Sequence, residues 1–412
     1  MKVTSAWRSS AFRRVWGAGA FSSLGAEIGE LAIPVLALIT LGASAAEFSF
    51  VRAALLAPYL LLTLWLGVLV DRMPRRPLMI FADLARGALL LVVCALALTG
   101  WLSVPGLIAA AALIGGLTVL YSLADFSFLP LVVGDSALID ANARITATQS
   151  VIGVAGVGAG GLLVQALTAP IALVLNAVGY LVSGVLVSRV KVPERRRPAA
   201  GSTSVFAEAR LGVAVLLRHR VLRALVSEAS IWNFGNEVLA IALSVLLLRD
   251  YGYGPVILGL ILMALGVGAF VGSIVSQRLT ARFGYGRSLI AALLLGNTAP
   301  VAGVLAASAP GWSGMVGLAV AFLISGFGIG VANSQAVSLR QLATSSELRG
   351  RVNAGYRLIS WGLLSLGAVA GGAIATALGP WIAALIGAVL MATATVPVLL
   401  SPVRTMTTLE SR

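Results

Sequence analysis

Charged residues are scarce in this chain. Only 11% of its 412 residues are charged, whereas 59% are hydrophobic, and the mean hydropathy is +1.00. A water-soluble protein of this length needs a more polar exterior, because most charged side chains stay in contact with water. The composition therefore predicts that lipid surrounds most of the chain.

Cysteine and histidine are almost absent. Cys94 is the single cysteine and His219 the single histidine, which excludes an internal disulfide and a histidine-rich metal site. The carboxylates have no metal-ligand spacing, and no Ser-His pair or His/Asp cluster indicates catalysis. No glycine-rich stretch follows a strand or continues into Gly-Lys-Ser/Thr, so nucleotide binding is not indicated. We expect no metal, no cofactor and no enzymatic activity.

Basic residues outnumber acidic ones by 29 to 15, which gives a formal net charge of +14. Such an excess is typical of proteins that bind nucleic acid. Here, however, the basic residues are concentrated in the connections between apolar runs, where they determine orientation in a membrane. We therefore expect no nucleic-acid partner.

Twelve apolar runs of roughly 20 residues divide the chain, and about 20 residues are needed to cross about 30 Å of hydrocarbon. They lie near residues 15–41, 48–70, 78–99, 104–130, 147–166, 169–189, 222–248, 256–278, 287–307, 312–338, 353–377 and 380–401. This pattern predicts an all-α, polytopic membrane protein with twelve transmembrane helices.

The basic residues also predict the orientation of these spans. The amino terminus, the even-numbered connections and the carboxyl terminus hold nearly all of them, with Arg52 and Arg249 as exceptions. By the positive-inside rule both termini are cytoplasmic. The first apolar run is long enough to span a bilayer, so it is interpreted as a transmembrane helix and not as a cleavable signal peptide.

The chain repeats itself at about half its length. Residues 24–28 read LGAEI and residues 234–238, which lie 210 positions later, read FGNEV. A second set recurs 211 positions later: Asn142, Ala143, Gly156, Gly160 and Gly161 return as Asn353, Ala354, Gly367, Gly371 and Gly372. Two copies of one unit explain both echoes, and parallel repeats are one known plan of membrane transporters. We predict two pseudo-symmetric six-helix bundles, 1–190 and 222–412.

A basic connection, 191–221, joins the two bundles. It contains a basic cluster (Arg195, Arg196, Arg197) and Pro198, followed by an amphipathic stretch at 206–220. Amphipathic helices with arginines on the polar face bind membrane surfaces that carry anionic lipid. We expect this stretch to lie along the inner surface of the bilayer.

Carboxylates inside two of the spans are the first candidates for function. Glu27 and Glu30 share one face of span 1, while Asn233 and Glu237 share one face of span 7, with Glu228 nearer its cytoplasmic end. An ionisable residue at mid-depth costs about 2.5–3.5 kcal/mol on insertion scales and is usually functional. These residues are predicted to couple protons or line a substrate cavity; the alternative is a neutral glutamic acid that forms hydrogen bonds between helices.

Five aromatic residues are further candidates for cavity walls, although packing or interfacial anchoring is their commoner role: Phe21, Trp232, Phe234, Tyr356 and Trp361.

Glycines cluster on spans 5 and 11. The residues are Gly153, Gly156, Gly160 and Gly161 on span 5, and Gly367, Gly371 and Gly372 on span 11. Dense glycine gives a membrane helix a flat face on which a second helix can pack closely. The alternative is general small-residue packing without a transport role.

The connection between spans 2 and 3 carries the sharpest motif, GVLVDRMPRR at 67–76. A small residue such as Gly67 lets two helices approach, and Asp71 is suited to a neighbouring helix amino terminus. With Arg72, Arg75 and Arg76, these residues resemble the Gly-x-x-x-Asp-Arg-x-x-Arg-Arg signature of the major facilitator superfamily. The resemblance implies a secondary transporter, usually a monomer, with a central cavity lined by spans 1 and 7. It also implies that Asp71 acts as a latch in a cytoplasmic gate.

Three further stretches narrow the resemblance to one branch of the superfamily. Residues 12–16, 83–86 and 347–352 are similar to bacterial exporters of the enterobactin-exporter and macrolide-efflux branch. Within the second stretch, Asp83 and Arg86 are three residues apart on one helix and are predicted to pair locally. The branch implies proton-coupled efflux of a bulky, partly apolar small molecule across the bacterial inner membrane.

Other functions stay open at this point. Antiporters of the superfamily carry Gly-Pro-x-x-Gly-Gly in span 5, whereas this chain has Val157 at the proline position. Uptake of a small solute by proton symport is therefore the first alternative. A lipid scramblase or membrane-embedded enzyme is the second, because a helical bundle does not by itself specify function.

Overall fold

The computed structural model describes residues 5–134, 137–194, 205–309, 311–345 and 348–406, and these ranges contain helices and no strands. Arg195, Arg196, Arg197, Pro198 and Glu347, all singled out in the sequence, lie outside them. The predicted all-α class is confirmed.

The helices follow one another with short connections. In the first half they are α1 (Ser10–Val35), α2 (Ala45–Leu61), α3 (Thr63–Arg72), α4 (Arg75–Leu98), α5 (Val104–Val133), α6 (Leu138–Leu167) and α7 (Ala169–Ser188). In the second half they are α8 (Val205–Arg218), α9 (Arg220–Val245), α10 (Pro255–Phe283), α11 (Tyr285–Ala306), α12 (Trp312–Leu342), α13 (Arg349–Leu378), α14 (Pro380–Thr393) and α15 (Val396–Leu399).

The described residues contain eleven helices long and apolar enough to cross a bilayer, or twelve spans if α2 and α3 form one. These two helices meet at Leu62 with a bend of 56°. Large apolar side chains cover the outer surface; Trp101 and Phe126, for example, are each 82% exposed. Lipid is the solvent that such a surface requires, so the predicted polytopic membrane protein is confirmed.

The described part of the chain divides into two compact units. Unit 1 comprises Met1–Ala43, Ala54–Ser202 and Gly254–Gly259, and unit 2 comprises Ser44–Ala53, Thr203–Tyr253 and Leu260–Arg412. The first residues of α2 thus belong to unit 2, and the first residues of α10 belong to unit 1.

The same packing plan occurs inside each unit. In unit 1, α1 packs on α6 and α7, while α4 packs on α5 and α7. In unit 2, α9 packs on α13 and α14, while α11 packs on α12 and α14. Each helix of the first set corresponds in order to one of the second, which is the internal repeat expected from the sequence.

Helices α1 and α9 also end alike. Each continues into one π-helical turn, at Leu36–Thr40 and Leu246–Asp250. Pro34 does not end α1, which remains helical through Val35. Proline cannot donate to the Glu30 carbonyl, but α9 makes the same turn without a proline. The π turn is therefore a feature of the repeat and not of the proline alone.

The stretch predicted to be amphipathic is helix α8, which packs on α13 inside unit 2. Leu216 is fully buried in a cluster with Leu222, Val226 and Val352, whereas Arg210 and Arg218 are exposed. His219 caps α9: its Nδ1 accepts a hydrogen bond from the Leu222 backbone N–H at 3.4 Å.

Replacement of Gly328 by alanine should destabilise unit 2. A methyl group at position 328 would lie 2.5 Å from the Cα of Gly296 on α11, so the backbones must move apart, and overpacking typically costs about 1–3 kcal/mol. We expect a lower midpoint of thermal unfolding for the purified protein. Gly153→Ala is the matched control, because a methyl group there would meet no described atom within 4 Å and alanine favours the helix. Equal midpoints for the two variants would contradict the packing described here.

Candidate functional site

Residues 24–28 on α1 and 234–238 on α9 are the two carboxylate echoes, and the first of them lies against glycines of α6 in unit 1. A methyl group at Gly156 would lie 3.0 Å from the Cβ of Glu27, and one at Gly160 would lie 3.3 Å from the Cα of Ile28. Both glycines therefore favour the close approach of α1 and α6. The Glu27 side chain is half-buried, and Glu30 is exposed on the same helix.

The second echo makes the same contact in unit 2. A methyl group at Gly367 on α13 would lie 3.2 Å from the Cβ of Glu237, and one at Gly371 would lie 2.9 Å from the Cα of Val238. The glycines of α6 and α13 thus pack against equivalent turns of α1 and α9. In each unit, the glycine pair holds the helix turn that bears the carboxylate.

The third glycine of each cluster contacts a different helix. A methyl group at Gly161 would lie 3.3 Å from the Cα of Gly259, at the start of α10 within unit 1. One at Gly372 would lie 3.0 Å from the Ala45 carbonyl oxygen, at the start of α2 within unit 2. Gly153 differs from these residues, because no described atom lies within 4 Å of a methyl group at this position.

Glu237 is held by an arginine of α2. Arg52 donates from Nε to Glu237 Oε2 at 3.1 Å and from Nη2 to Oε1 at 3.2 Å. This two-point geometry is the strong form of an arginine–carboxylate pair. Glu237 is 3% exposed, so the arginine compensates for burial of its charge. Arg52, an exception to the charge pattern in the sequence, lies inside a helix and not in a connection.

Glu27 differs from Glu237 in this respect. Among the residues that the structure describes, no ion pair involves Glu27. The position 210 residues after Arg52 is Leu262, so the repeat does not supply a corresponding arginine. The two echoes therefore share backbone packing but differ in charge.

Unit 2 contains a cavity of about 570 Å³ at the end where α12 finishes and α13 begins. Residues of α9, α11, α12 and α13 line it: Leu225, Glu228, Ala229, Trp232, Asn233, Leu289, Leu293, Asn297, Ile329, Ala332, Asn333, Ala336, Val337, Arg340, Tyr356, Arg357, Ser360 and Trp361. Small-molecule pockets typically measure about 300–1,000 Å³. Asn233 is part of the wall, as are three of the five aromatic candidates, but Glu237 is not.

Glu228 is the carboxylate in the cavity wall. Asn297 approaches its Oε1 with Nδ2 at a long 3.5 Å and donates to Thr395 Oγ1 at 3.0 Å. Asn233 donates from Nδ2 to the Ser360 carbonyl oxygen at 2.8 Å. These contacts orient three side chains of the wall through partners on α11, α13 and the segment that follows α14.

Two arginines of the wall stack on aromatic rings. The guanidinium carbon of Arg340 lies 3.7 Å from the Tyr356 ring centroid, and that of Arg357 lies 4.4 Å from the Trp361 centroid. Stacking of this kind stabilises a guanidinium and fixes its plane. The cavity therefore presents oriented positive charge beside its single carboxylate.

Unit 1 has its own buried polar cluster. Arg86 pairs with Asp83, as predicted from their spacing, and Ser183 donates to Asp83 Oδ2 at 2.6 Å. The Arg86 guanidinium carbon lies 4.1 Å from the Tyr180 ring centroid and 4.7 Å from that of Tyr121. Asp83 and Arg86 are almost completely buried, so this cluster joins α4, α5 and α7 through compensated charge.

The motif at 67–76 spans the end of α3 and the start of α4. The backbone N–H groups of Arg75 and Arg76 donate to Glu194 at 2.5 and 2.9 Å. Arg76 also donates to the carbonyl oxygens of Val187 and Ser188, where a helix carboxyl terminus favours positive charge. Arginines of the motif therefore join the start of α4 to the end of α7.

The remaining residues of the motif are less constrained in unit 1. Asp71 and Arg72 are exposed. A methyl group at Gly67 would meet no described atom within 4 Å, so the close helix contact expected there is not made. Glu194, and not Asp71, is the carboxylate that accepts hydrogen bonds at the amino terminus of α4.

Four residues of these sites are not among the candidates predicted from the sequence: Arg52, Glu194, Arg340 and Arg357. An arginine inside an apolar run, as at position 52, is a usable signal, because such a residue needs a partner. Nothing local in the sequence indicates that Glu194 caps α4.

Known proteins resemble this chain in sequence and in fold. The family model "Major Facilitator Superfamily" matches residues 15–364. The "Uncharacterized MFS-type transporter y4rN" of Sinorhizobium fredii is 27% identical over 293 residues, 69% of each chain. The "Uncharacterized MFS-type transporter YkuC" of Bacillus subtilis is 22% identical over 291 residues, 66% of each chain.

Solved structures show the same fold. A bacterial homologue of the iron transporter ferroportin has a TM-score of 0.73 at 16% identity, covering 96% of this chain and 99% of that one. The nucleoside transporter NupG has a TM-score of 0.70 at 11% identity, covering 94% of this chain and 98% of that one.

Together with the two repeated units, the match to the family model leads to one conclusion. The chain belongs to the Major Facilitator Superfamily, and it is a multi-pass membrane protein of a family of secondary transporters, not of enzymes.

Proposed function

We propose that this protein exports a bulky, partly apolar small molecule in exchange for protons, by alternating access. The observation that carries the proposal is the difference between the two carboxylate echoes. Glu27 has no ion pair among the described residues, whereas Glu237 is bound to Arg52. A carboxylate inside a membrane helix is usually functional, and one without a fixed counter-charge is suited to bind and release a proton.

The position of Glu27 suits a proton carrier. Its helix turn rests on Gly156 and Gly160 of α6, so a change in the charge of Glu27 acts on a close helix contact. A proton can drive transport only if it binds the two states of the transporter with different affinity. We assign that differential binding to Glu27 and a positioning role to the pair of Glu237 and Arg52.

The proposal includes the cellular setting. The chain would reside as a monomer in a bacterial inner membrane with both termini in the cytoplasm, as the distribution of basic residues indicates. Asp71 is exposed at the end of α3, where it is available as a latch when the transporter changes state. Arg75 and Arg76, which are bonded within unit 1, would hold the base of that latch.

Replacement of Glu27 by glutamine should uncouple export from the proton gradient. Expression of the wild type in a bacterial host without its own drug pumps should raise tolerance to at least one bulky amphipathic compound. An uncoupler should remove this protection. Glu27→Gln should lower the initial efflux rate of that compound about tenfold or more, equal to about 1.4 kcal/mol in the barrier, because the amide cannot carry the proton.

Asp250→Asn is the matched control, since Asp250 is an exposed acid in the π turn after α9, and it should export like the wild type. Membrane levels of all three proteins are compared by immunoblot. Export by Glu27→Gln at the wild-type rate would contradict the proposed role. Higher accumulation of the compound in expressing cells would instead favour the symport alternative.

The pair of Arg52 and Glu237 should behave as one structural element. Arg52→Leu or Glu237→Leu alone leaves one charge without its partner, and breaking a buried pair typically costs about 3–5 kcal/mol. The double variant should recover most of this loss, because neither charge remains to be buried. The measurement is the thermal unfolding midpoint of each variant in lipid nanodiscs. Losses that simply add in the double variant would show that the two side chains are not coupled.

A further inference from the structure

The stacked arginines of the unit 2 cavity have hydrogen-bonding capacity to spare. The rings of Tyr356 and Trp361 fix the guanidinium planes of Arg340 and Arg357 at 3.7 and 4.4 Å. A stacked guanidinium still presents N–H groups along its edge, and this fork matches the two oxygens of a carboxylate. The stacking thus orients two guanidinium groups in the cavity wall.

The same wall contains hydrogen-bond donors from which no described residue accepts. Arg340 Nε and Trp232 Nε1 are buried and have no hydrogen-bond acceptor among the described residues. Buried donors without acceptors are uncommon and costly. Both belong to residues that line the cavity, so this wall holds more donor groups than the described residues supply with acceptors.

The charge of the lining also favours an anion. Two arginines and one carboxylate, Glu228, are the charged residues among those lining the cavity. Asn297 already approaches Glu228 at 3.5 Å, which leaves further acceptor capacity for a hydroxyl or amide donor of a ligand. An organic cation would meet two guanidinium groups and only one carboxylate in this lining, and like charges repel.

The rest of the wall fits the flat apolar part of a ligand. This part of the wall consists of aliphatic side chains, chiefly Leu225, Leu289, Leu293, Ile329 and Val337. The second face of each stacked guanidinium can pack on an aromatic ring, as the first face does on the protein. The cavity of about 570 Å³ is in the range that holds a drug-sized molecule.

We infer that the cavity of unit 2 binds an organic anion, namely a planar aromatic carboxylate whose carboxyl group meets Arg340 and Arg357. This inference rests on the proposed function and gives its cargo a chemical class. Glu228 would accept a hydrogen bond from a hydroxyl or amide of the same molecule. Among bulky amphipathic solutes, those with a carboxylate on an aromatic ring would be preferred over amines of the same shape.

Three probes with one ring system test the preference. They are 2-naphthoate, the neutral 2-naphthamide and 2-naphthylmethylammonium, titrated by calorimetry into the full-length protein in zwitterionic lipid nanodiscs. We expect 2-naphthoate to bind at least about tenfold more tightly than the amide, as a charge-assisted two-point contact allows, and the ammonium to bind most weakly. Equal affinities, tighter binding of the amide or ammonium, or no binding of 2-naphthoate would overturn the inference.

Variants locate the site. Arg340→Gln and Arg357→Gln should each weaken 2-naphthoate about tenfold and leave the amide almost unchanged, because glutamine keeps a polar side chain but removes the charge. Arg357→Lys should fall between wild type and Arg357→Gln, since it keeps the charge but loses the planar fork. The matched control is Arg223→Gln, because Arg223 lines a separate groove of unit 2. Unfolding midpoints of all variants show whether each is folded before titration.

Each result bears on one claim only. If Arg223→Gln weakens 2-naphthoate as much as the cavity variants do, the anion binds by general surface charge and the cavity assignment fails. If the carboxylate preference is absent while export still depends on Glu27, only the substrate class is lost. If 2-naphthoate binds as expected but export ignores the proton gradient, the proposed coupling is wrong and the anion site remains.

Discussion

Close contact between a glycine face and a carboxylate-bearing helix organises both halves of this transporter. Gly156 and Gly160 bring α6 onto α1, and Gly367 and Gly371 bring α13 onto α9, at spacings where a methyl group would lie 2.6 to 3.3 Å from the facing helix. Without a hydrophobic drive between helices in lipid, packing of this kind is a main source of association. In unit 2, α14 links this pair to the other helices that line the cavity, because it packs on α9, α13 and α11.

The two units keep this contact and divide the charges differently. Arg52 compensates Glu237, while unit 1 buries Asp83 and Arg86 in a separate cluster away from the echo. Buried charges are tolerated when they are paired and hydrogen-bonded. Glu27 is the echo residue to which the repeat supplies no arginine, so the two echoes differ in how their charge is compensated. This division is the physical basis for assigning unequal roles to two otherwise similar units.

Hydropathy predicted the spans and repetition predicted the internal symmetry, because each signal can be seen directly in the order of residues along the chain. The Asp83–Arg86 pair was predictable for the same reason, as its spacing falls on one helix face. The partner of Glu237 was not, since Arg52 is far away in sequence and reaches it only through tertiary packing. Gly67 shows that a local motif can be recognised in the sequence while the helix contact predicted from it is not made within unit 1.

Infrared difference spectroscopy of the protein in lipid, recorded as the pH is stepped, tests the central claim that Glu27 carries the transported proton. A protonated carboxyl group inside the membrane gives a carbonyl band that disappears when the proton leaves. The account predicts that Glu27→Gln lacks one such titrating band and that Glu237→Gln retains it. A band that is lost in Glu237→Gln and kept in Glu27→Gln would contradict the division of charge on which this account depends.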